Sequence, residues 1–328
     1  MKFVLFHSNY EYIKFLYGKS KTSYDVINIF DYSLQSGNWL LRFLYRVHIS
    51  PAINKYISLP LKSFWYRFML PKGLSRTDEI CFVFNSSRVA GIDVQFYNYL
   101  RQEYKCKLVM QLWNPVDWDR SKGGYDIEKM KDIMDLVCTY NKIDVEKYKL
   151  VQYPYILFNL LNINIKPLKD RTVDVFFLGQ DKGRMGFIES LYEKLTSLGL
   201  NCEFYIVNPQ NEPHCRGIHI CDWMPYHKLI EITENSKCIV NILQPGAEGV
   251  TIRDIEAYNY GCFMITNNKS KELHDIYNNE QLIDINQINE STVNVIKKRN
   301  EVFPPRNNFN SLDNYYNWLF NILYSYNS

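Results

Sequence analysis

Short runs rich in β-branched and aromatic residues alternate along the chain with stretches whose apolar positions recur every three or four residues. This alternation predicts a parallel-sheet α/β architecture. In the first half, Lys2 to Phe6, Val26 to Phe30, Ile80 to Phe84 and Leu108 to Leu112 read as strands, with a helix over Val89 to Tyr104 and weaker strands at Asp135 to Thr139 and Leu150 to Gln152. The stretch Asn162 to Arg171, with Pro167 and mixed charges, reads as a linker. Beyond it the alternation restarts. Strands are expected at Val173 to Leu178, Cys202 to Val207, Gly217 to Cys221, Cys238 to Leu243 and Cys262 to Thr266. Helices are expected at Met185 to Leu198, Tyr226 to Asn235 and Thr251 to Tyr258, and Ser311 caps a last one bearing Leu312, Tyr315, Tyr316, Leu319, Leu323 and Tyr326. The expected domains are 1–165 and 166–310, with 311–328 packing back across them.

Length and composition agree with this picture. At 328 residues and 46% apolar, the chain can bury two cores, and disorder, collagen-like repeats and a disulfide miniprotein are excluded. The longest uncharged stretch, Leu150 to Ile165, contains Pro154 and falls short of the roughly 20 apolar residues of a membrane span. The N-terminus lacks a signal-peptide pattern, so a cytoplasmic protein is expected. Eight cysteines without a CxxC pair read as buried thiols. His214, Cys215, His219 and Cys221 cluster within eight residues, where a loop and half-buried strand are weighed against zinc.

Charge is unevenly placed. Residues 1–165 carry +7 and residues 166–328 carry −4. Ser33 to Thr77 contains no acid but seven cations: Arg42, Arg46, Lys55, Lys62, Arg67, Lys72 and Arg76. Trp39, Leu40, Phe43, Leu44 and Val47 fall on one side of a helix after Asn38, and Phe64, Trp65, Phe68 and Met69 follow in a second short stretch. Such a segment suits an anionic membrane surface, or else is a core-facing helix pair with a basic outer face. Nucleic acid is not expected as a partner, since the overall balance is only mildly basic and no recognised module is present.

Two turns carry candidate chemistry. Gly179-Gln-Asp-Lys182-Gly-Arg184 lies between a strand and a helix, where backbone amides and two cations form a diphosphate site. A merely connecting polar turn is the alternative. The second turn holds Gln244, Gly246, Glu248 and Gly249, followed by a helix with Thr251, Arg253 and Glu256. Its glycines permit close backbone approach, and two carboxylates eight positions apart suit sugar hydroxyls; equally, Arg253 and Glu256 form an intrahelical ion pair.

DVFFLGQDKGR, CEFYIVN, the MPYHKLIEITENSKCIVNILQPG run and TIRDIEAYNYGCFMITNN together resemble the donor-binding domain of bacterial GT-B glycosyltransferases that build capsule and lipopolysaccharide O-antigen chains. LWNPVDWD and DLVCTYNKIDVEKYKLVQYPY are similar to the end of that family's first domain. The resemblance implies two facing Rossmann-like domains. It also implies transfer of a sugar from a nucleotide-diphosphate sugar to a growing, lipid-linked glycan at the inner membrane face, with no metal or other cofactor. Lys182 and Arg184 would hold the diphosphate, Thr251 and Arg253 its phosphate side, Glu256 the ribose, and Glu248 with Gly249 the donor sugar. Glu248 and Glu256 match the EX7E spacing, but retention or inversion stays open. An inverting enzyme needs a base on the first domain, for which His7, Asp93 and Asp117 are candidates. Asp117-Trp-Asp119 also matches the metal-binding DxD of GT-A enzymes, which the position of the phosphate-type loop in the other half argues against. A nucleotide-sugar 2-epimerase and a noncatalytic binding subunit are the other readings.

Overall fold

The computed structural model describes all residues except 32–33, 35–37, 51–52, 54–56, 58, 87–91, 93, 122–123, 155–164, 210–212, 245, 305–310 and 325–328, and the side chain of Lys19. The chain forms two compact units, Met1–Ile156 with Asn310–Ser328, and Leu157–Phe309.

In the first unit the elements run β1 (Lys2–Phe6), α1 (Glu11–Lys19), β2 (Val26–Ile29), α2 (Trp39–Ile49), α3 (Ser63–Tyr66), β3 (Glu79–Asn85), α4 (Val94–Glu103), β4 (Lys105–Leu112), α5 (Val116–Ser121), α6 (Ile127–Ile133), β5 (Leu136–Thr139), α7 (Lys142–Tyr148) and β6 (Val151–Gln152). All strands are parallel, in the order β2-β1-β3-β4-β5-β6. Central strands of a parallel sheet are covered on both faces, which is why β3 is buried from Ile80 through Asn85. The helix α4 closes one face with Phe96, Tyr97 and Leu100.

The second unit contains β7 (Val173–Gln180), α8 (Met185–Ser197), β8 (Cys202–Val207), β9 (Ile218–Cys221), α9 (Tyr226–Glu234), β10 (Ser236–Asn241), α10 (Ile252–Asn259), β11 (Phe263–Thr266), α11 (Lys271–Ile276), β12 (Leu282–Asp284) and α12 (Glu290–Lys298). Its strands are also all parallel, in the order β12-β11-β10-β7-β8-β9. The chain thus starts mid-sheet at β7, winds one way through β8 and β9, then returns to the other side of β7 at β10. In an open α/β sheet, connections leave in opposite directions at such a reversal, and a crevice opens at the carboxyl ends of the two strands. The two candidate turns follow β7 and β10, the strands that flank it.

The last helix, α13 (Leu312–Tyr324), packs on the first sheet. Tyr316 meets Phe3 with ring centroids 4.7 Å apart, Tyr315 meets Tyr153, and the Asp313 carboxylate accepts from Ser23 N at 2.9 Å. Asn314 N reaches Ser311 Oγ at 3.4 Å, the expected cap. In α2 the core side is Leu41, Tyr45 and Ile49, so the apolar side centred on Leu40, Phe43 and Leu44 faces outward. Arg171 anchors the entry to β7: buried, it donates to Lys166 O, Ser236 O (2.7 Å) and Tyr260 O (2.6 Å). Among the described residues no helix is long and apolar enough to cross a membrane.

Candidate functional site

At the reversal between β7 and β10, Gly179 and Gln180 end β7 and Lys182 follows with φ 48°. A side chain in this left-handed region costs roughly 1 kcal/mol. The conformation brings Lys182 Nζ to 2.6 Å from Gln244 Oε1, so the cationic turn after β7 and the glycine-bearing turn after β10 are joined across the crevice. Sequence spacing of 62 residues carries no hint of that bond.

Arg184 caps the same edge differently. Its guanidinium donates to Ile242 O, to Gln180 O at 2.8 Å and to Asp181 O at 3.1 Å. Burial pulls its pKa down from the usual value, with Asp181 opposing. A guanidinium has five N–H donors, and these bonds use three. Two remain for a ligand, while the rest tie the ends of β7 and β10 together.

The turn after β10 has Gly246 at φ 78° and Gly249 at φ 122°, conformations open to glycine at no steric cost, with Glu248 half-buried between them. Three asparagines fix this turn. Leu243 N donates to Asn267 Oδ1 at 2.8 Å, Asn268 Nδ2 donates to Gly249 O at 2.8 Å, and Asn241 Nδ2 bonds both Thr251 Oγ1 (3.0 Å) and Asp254 Oδ1 (2.9 Å). None of the three stood out in the sequence; the only signal was an Asn pair directly after a predicted strand.

Thr251 starts α10 in a capping box, with its N–H and hydroxyl donating to Asp254 Oδ2 at 2.8 and 2.9 Å. The Thr251 hydroxyl proton is therefore committed to Asp254 and not offered to a phosphate. Burial raises the Asp254 pKa to about 6 despite these bonds. One turn further, Arg253 and Glu256 do form the intrahelical pair, 2.6 Å apart, and a second Arg253 nitrogen reaches Leu178 O at 3.3 Å. Glu256 is 3% exposed; burial pushes its pKa up, while Arg253 and the Tyr226 hydroxyl pull it down.

In the first unit His7 follows β1, beside the reversal between β1 and β3, and is buried. Its Nε2 lies 2.8 Å from Asn28 Oδ1, and its ring stacks on Phe30 and touches Tyr17. Asp117 is paired with Lys147 at 2.7 Å and accepts from Tyr148, and these bonds hold its pKa below the ordinary value. Asp119 accepts from Asn114 and Tyr125, each at 3.1 Å. Asp93 lies outside the described residues. In the histidine–cysteine cluster, the His219 ring stacks on Tyr205, the His214 amide donates to Glu189 and Cys215 Sγ sits 3.2 Å from Glu193. Among the described residues no group of three or more His, Cys, Asp or Glu side chains has metal-site geometry.

No protein-family model matches the chain, and no curated protein matches it in sequence. Solved structures do match. An α-glucosyltransferase in complex with UDP-glucose and DNA containing an abasic site superposes with a TM-score of 0.57 at 12% identity, over 91% of this chain and 90% of that one. An α-glucosyltransferase with UDP and a 13-mer DNA containing a HMU base matches over the same shares, at 0.57 and 13%. A UDP-GlcNAc 2-epimerase from Methanocaldococcus jannaschii covers 99% of both chains, at a TM-score of only 0.42 and 11% identity. The expectation that nucleic acid is excluded is thereby corrected: the first two structures hold DNA on this fold. A mild net charge does not carry that exclusion, because it averages a +7 half with a −4 half. Two parallel six-stranded sheets with covering helices, in a chain matched over nine-tenths of its length, constitute the GT-B fold.

Proposed function

We propose that the chain is a glycosyltransferase that moves a sugar from a nucleotide-diphosphate sugar to an acceptor hydroxyl. The observation carrying this reading is the Lys182–Gln244 bond at the reversal of the second sheet, formed by a lysine held in left-handed backbone. Strain of that kind persists where the surroundings impose it, and it gathers at ligand sites. In this reading Lys182, the two remaining Arg184 donors and the N-terminal amides of α10 hold the diphosphate. Glu256, whose carboxylate already holds Arg253 and the Tyr226 hydroxyl, takes the ribose hydroxyls on its remaining lone pairs, and Glu248 with Gly249 faces the sugar.

The acceptor oxygen bonds to the anomeric carbon as the bond to the diphosphate breaks, and nucleoside diphosphate leaves. Developing charge on the leaving phosphate is met by fixed cations and amides, so catalysis without a metal is part of the proposal. The acceptor proton goes to a base, for which His7 is our candidate; full turnover by His7→Ala would dismiss it.

For the acceptor we favour a growing, lipid-linked bacterial surface glycan, with the enzyme at the inner membrane face, as the sequence resemblance implies. A DNA acceptor is the second reading, favoured by the DNA in the fold-matched structures. Thermal shift with UDP-, GDP-, dTDP- and CMP-sugars tests the donor half. A bound donor at about a hundred times its Kd stabilises by roughly 2.7 kcal/mol. No shift with any diphosphate donor refutes the reading.

A further inference from the structure

The helix α2 presents its larger apolar side away from the core. Leu41, Tyr45 and Ile49 point inward, whereas Trp39 is 70% and Phe43 56% exposed, with Leu40 and Leu44 beside them. The helix α3 is clasped to α2 through Trp65, whose ring centroid lies 5.7 Å from Tyr45 and 5.6 Å from His48. It adds exposed Phe64, and the turn before it adds Leu61, 78% exposed and in left-handed backbone at φ 61°. A leucine is an unfavourable residue for that conformation and that exposure alike.

Cations surround these side chains. Arg42 and Arg46 lie exposed between the inward and outward sides of α2, and Arg67 rests over the rings of Phe64 and Phe68 at 4.5 and 4.7 Å. No acid occurs from 33 to 77. An exposed apolar stripe flanked by cations, in a segment whose sequence holds no acid, is complementary to a layer that is negative at its surface and hydrocarbon beneath.

We propose that the outward side of α2, continued by Leu61 and Phe64, docks on an anionic lipid bilayer, inserting its apolar side chains between headgroups while the arginines meet phosphates. This deepens the lipid-linked acceptor reading and rests on it for its purpose. The breadth of the apolar side favours a bilayer over nucleic acid: Trp39, Leu40, Phe43, Leu44, Leu61 and Phe64 are all exposed, whereas nucleic acid takes up isolated apolar wedges between base steps and acyl chains accept a continuous side directly.

The test is co-sedimentation of the full chain with phosphatidylcholine vesicles, with and without about one-third phosphatidylglycerol, a charge at which each surface cation contributes roughly fivefold in affinity. Wild type is expected to bind only the anionic vesicles, and less well as salt rises. Arg42→Glu with Arg46→Glu should weaken binding by about thirtyfold or more. Phe43→Asn with Leu44→Asn should weaken it by about tenfold or more at unchanged thermal stability, since both side chains are exposed. Brominated lipid should quench wild-type tryptophan emission more than that of Trp39→Phe. Absence of vesicle binding, or variants that bind like wild type, overturns the proposal. So does loss of single-stranded DNA binding in these variants with vesicle binding intact, which would make this a nucleic-acid surface. Vesicle binding needs neither donor nor acceptor, so its failure leaves the transfer reading standing, and failure of donor binding leaves this one.

Discussion

Replacing Lys182 by glycine and by alanine separates backbone strain from ligand chemistry at one position. Both variants lose the Nζ bond to Gln244, 2.6 Å long and half-buried, worth about 1 kcal/mol. Alanine keeps a Cβ at φ 48°, whereas glycine relieves roughly 1 kcal/mol of left-handed strain. Lys182→Gly should therefore unfold in urea within about 1 kcal/mol of wild type, and Lys182→Ala should be about 1 kcal/mol less stable than Lys182→Gly. Binding should not follow stability. Loss of one charge-assisted phosphate contact, about 1.5 to 3 kcal/mol, weakens nucleoside diphosphate binding by roughly tenfold to a hundredfold or more in both variants. Calorimetric titration with UDP, GDP and dTDP reads this directly. If Lys182→Gly binds the nucleotide as wild type does, Lys182 is not a phosphate ligand and the site as described is wrong. If the two variants are equally stable, the strain argument fails.

Other consequences concern the scaffold of the site. Asp254 has its pKa raised by burial to about 6, so its contribution to stability is complete below the unfolded carboxyl value and is lost as pH rises through about 6; Asp254→Asn should flatten the dependence of Tm on pH between about 4 and 6. Arg171→Lys cannot reproduce a planar fork that spans Lys166 O, Ser236 O and Tyr260 O, and should cost about 3 to 5 kcal/mol in urea unfolding. A Cβ at Gly261, where φ is 59°, would sit 2.9 Å from Phe303 O and Val302 Cβ, so Gly261→Ala should cost about 2 to 5 kcal/mol by the same assay.

β1 was readable because a central strand of a parallel sheet is a continuous apolar run, and β8, half-buried, because Phe204 and Ile206 alternate inward. The apolar run Cys238 to Leu243 misplaces β10, which spans Ser236–Asn241. Lys237 enters the strand by pairing with Asp174 at 2.9 Å, and Leu243 leaves it because its amide turns to Asn267. The three-residue β12 is too short to show a period. α1 was missed although Ile13, Leu16 and Tyr17 have helical spacing, because tyrosines and Gly18 dilute its helix preference.

For the site, position was legible and partners were not. Strand-then-turn patterns located both loops, since they depend only on local order. That Lys182 meets Gln244, or that Thr251 gives its proton to Asp254 while Asn241 donates to both, depends on strand order, which pairs β7 with β10 across the two intervening strands β8 and β9. The same limit applies to α2, where periodicity shows which residues share a side but not whether that side is covered.

The central claim is tested most directly by supplying the purified chain with UDP-, GDP- and dTDP-sugars, with lipid-linked glycan or DNA as acceptor, and following nucleoside diphosphate release together with the fate of the sugar. The account predicts release that rises with one acceptor and deposits the sugar on it, and no release of a diphosphate from CMP-sugars. Conversion of a donor to its epimer without acceptor, or no release with any pair, would contradict it.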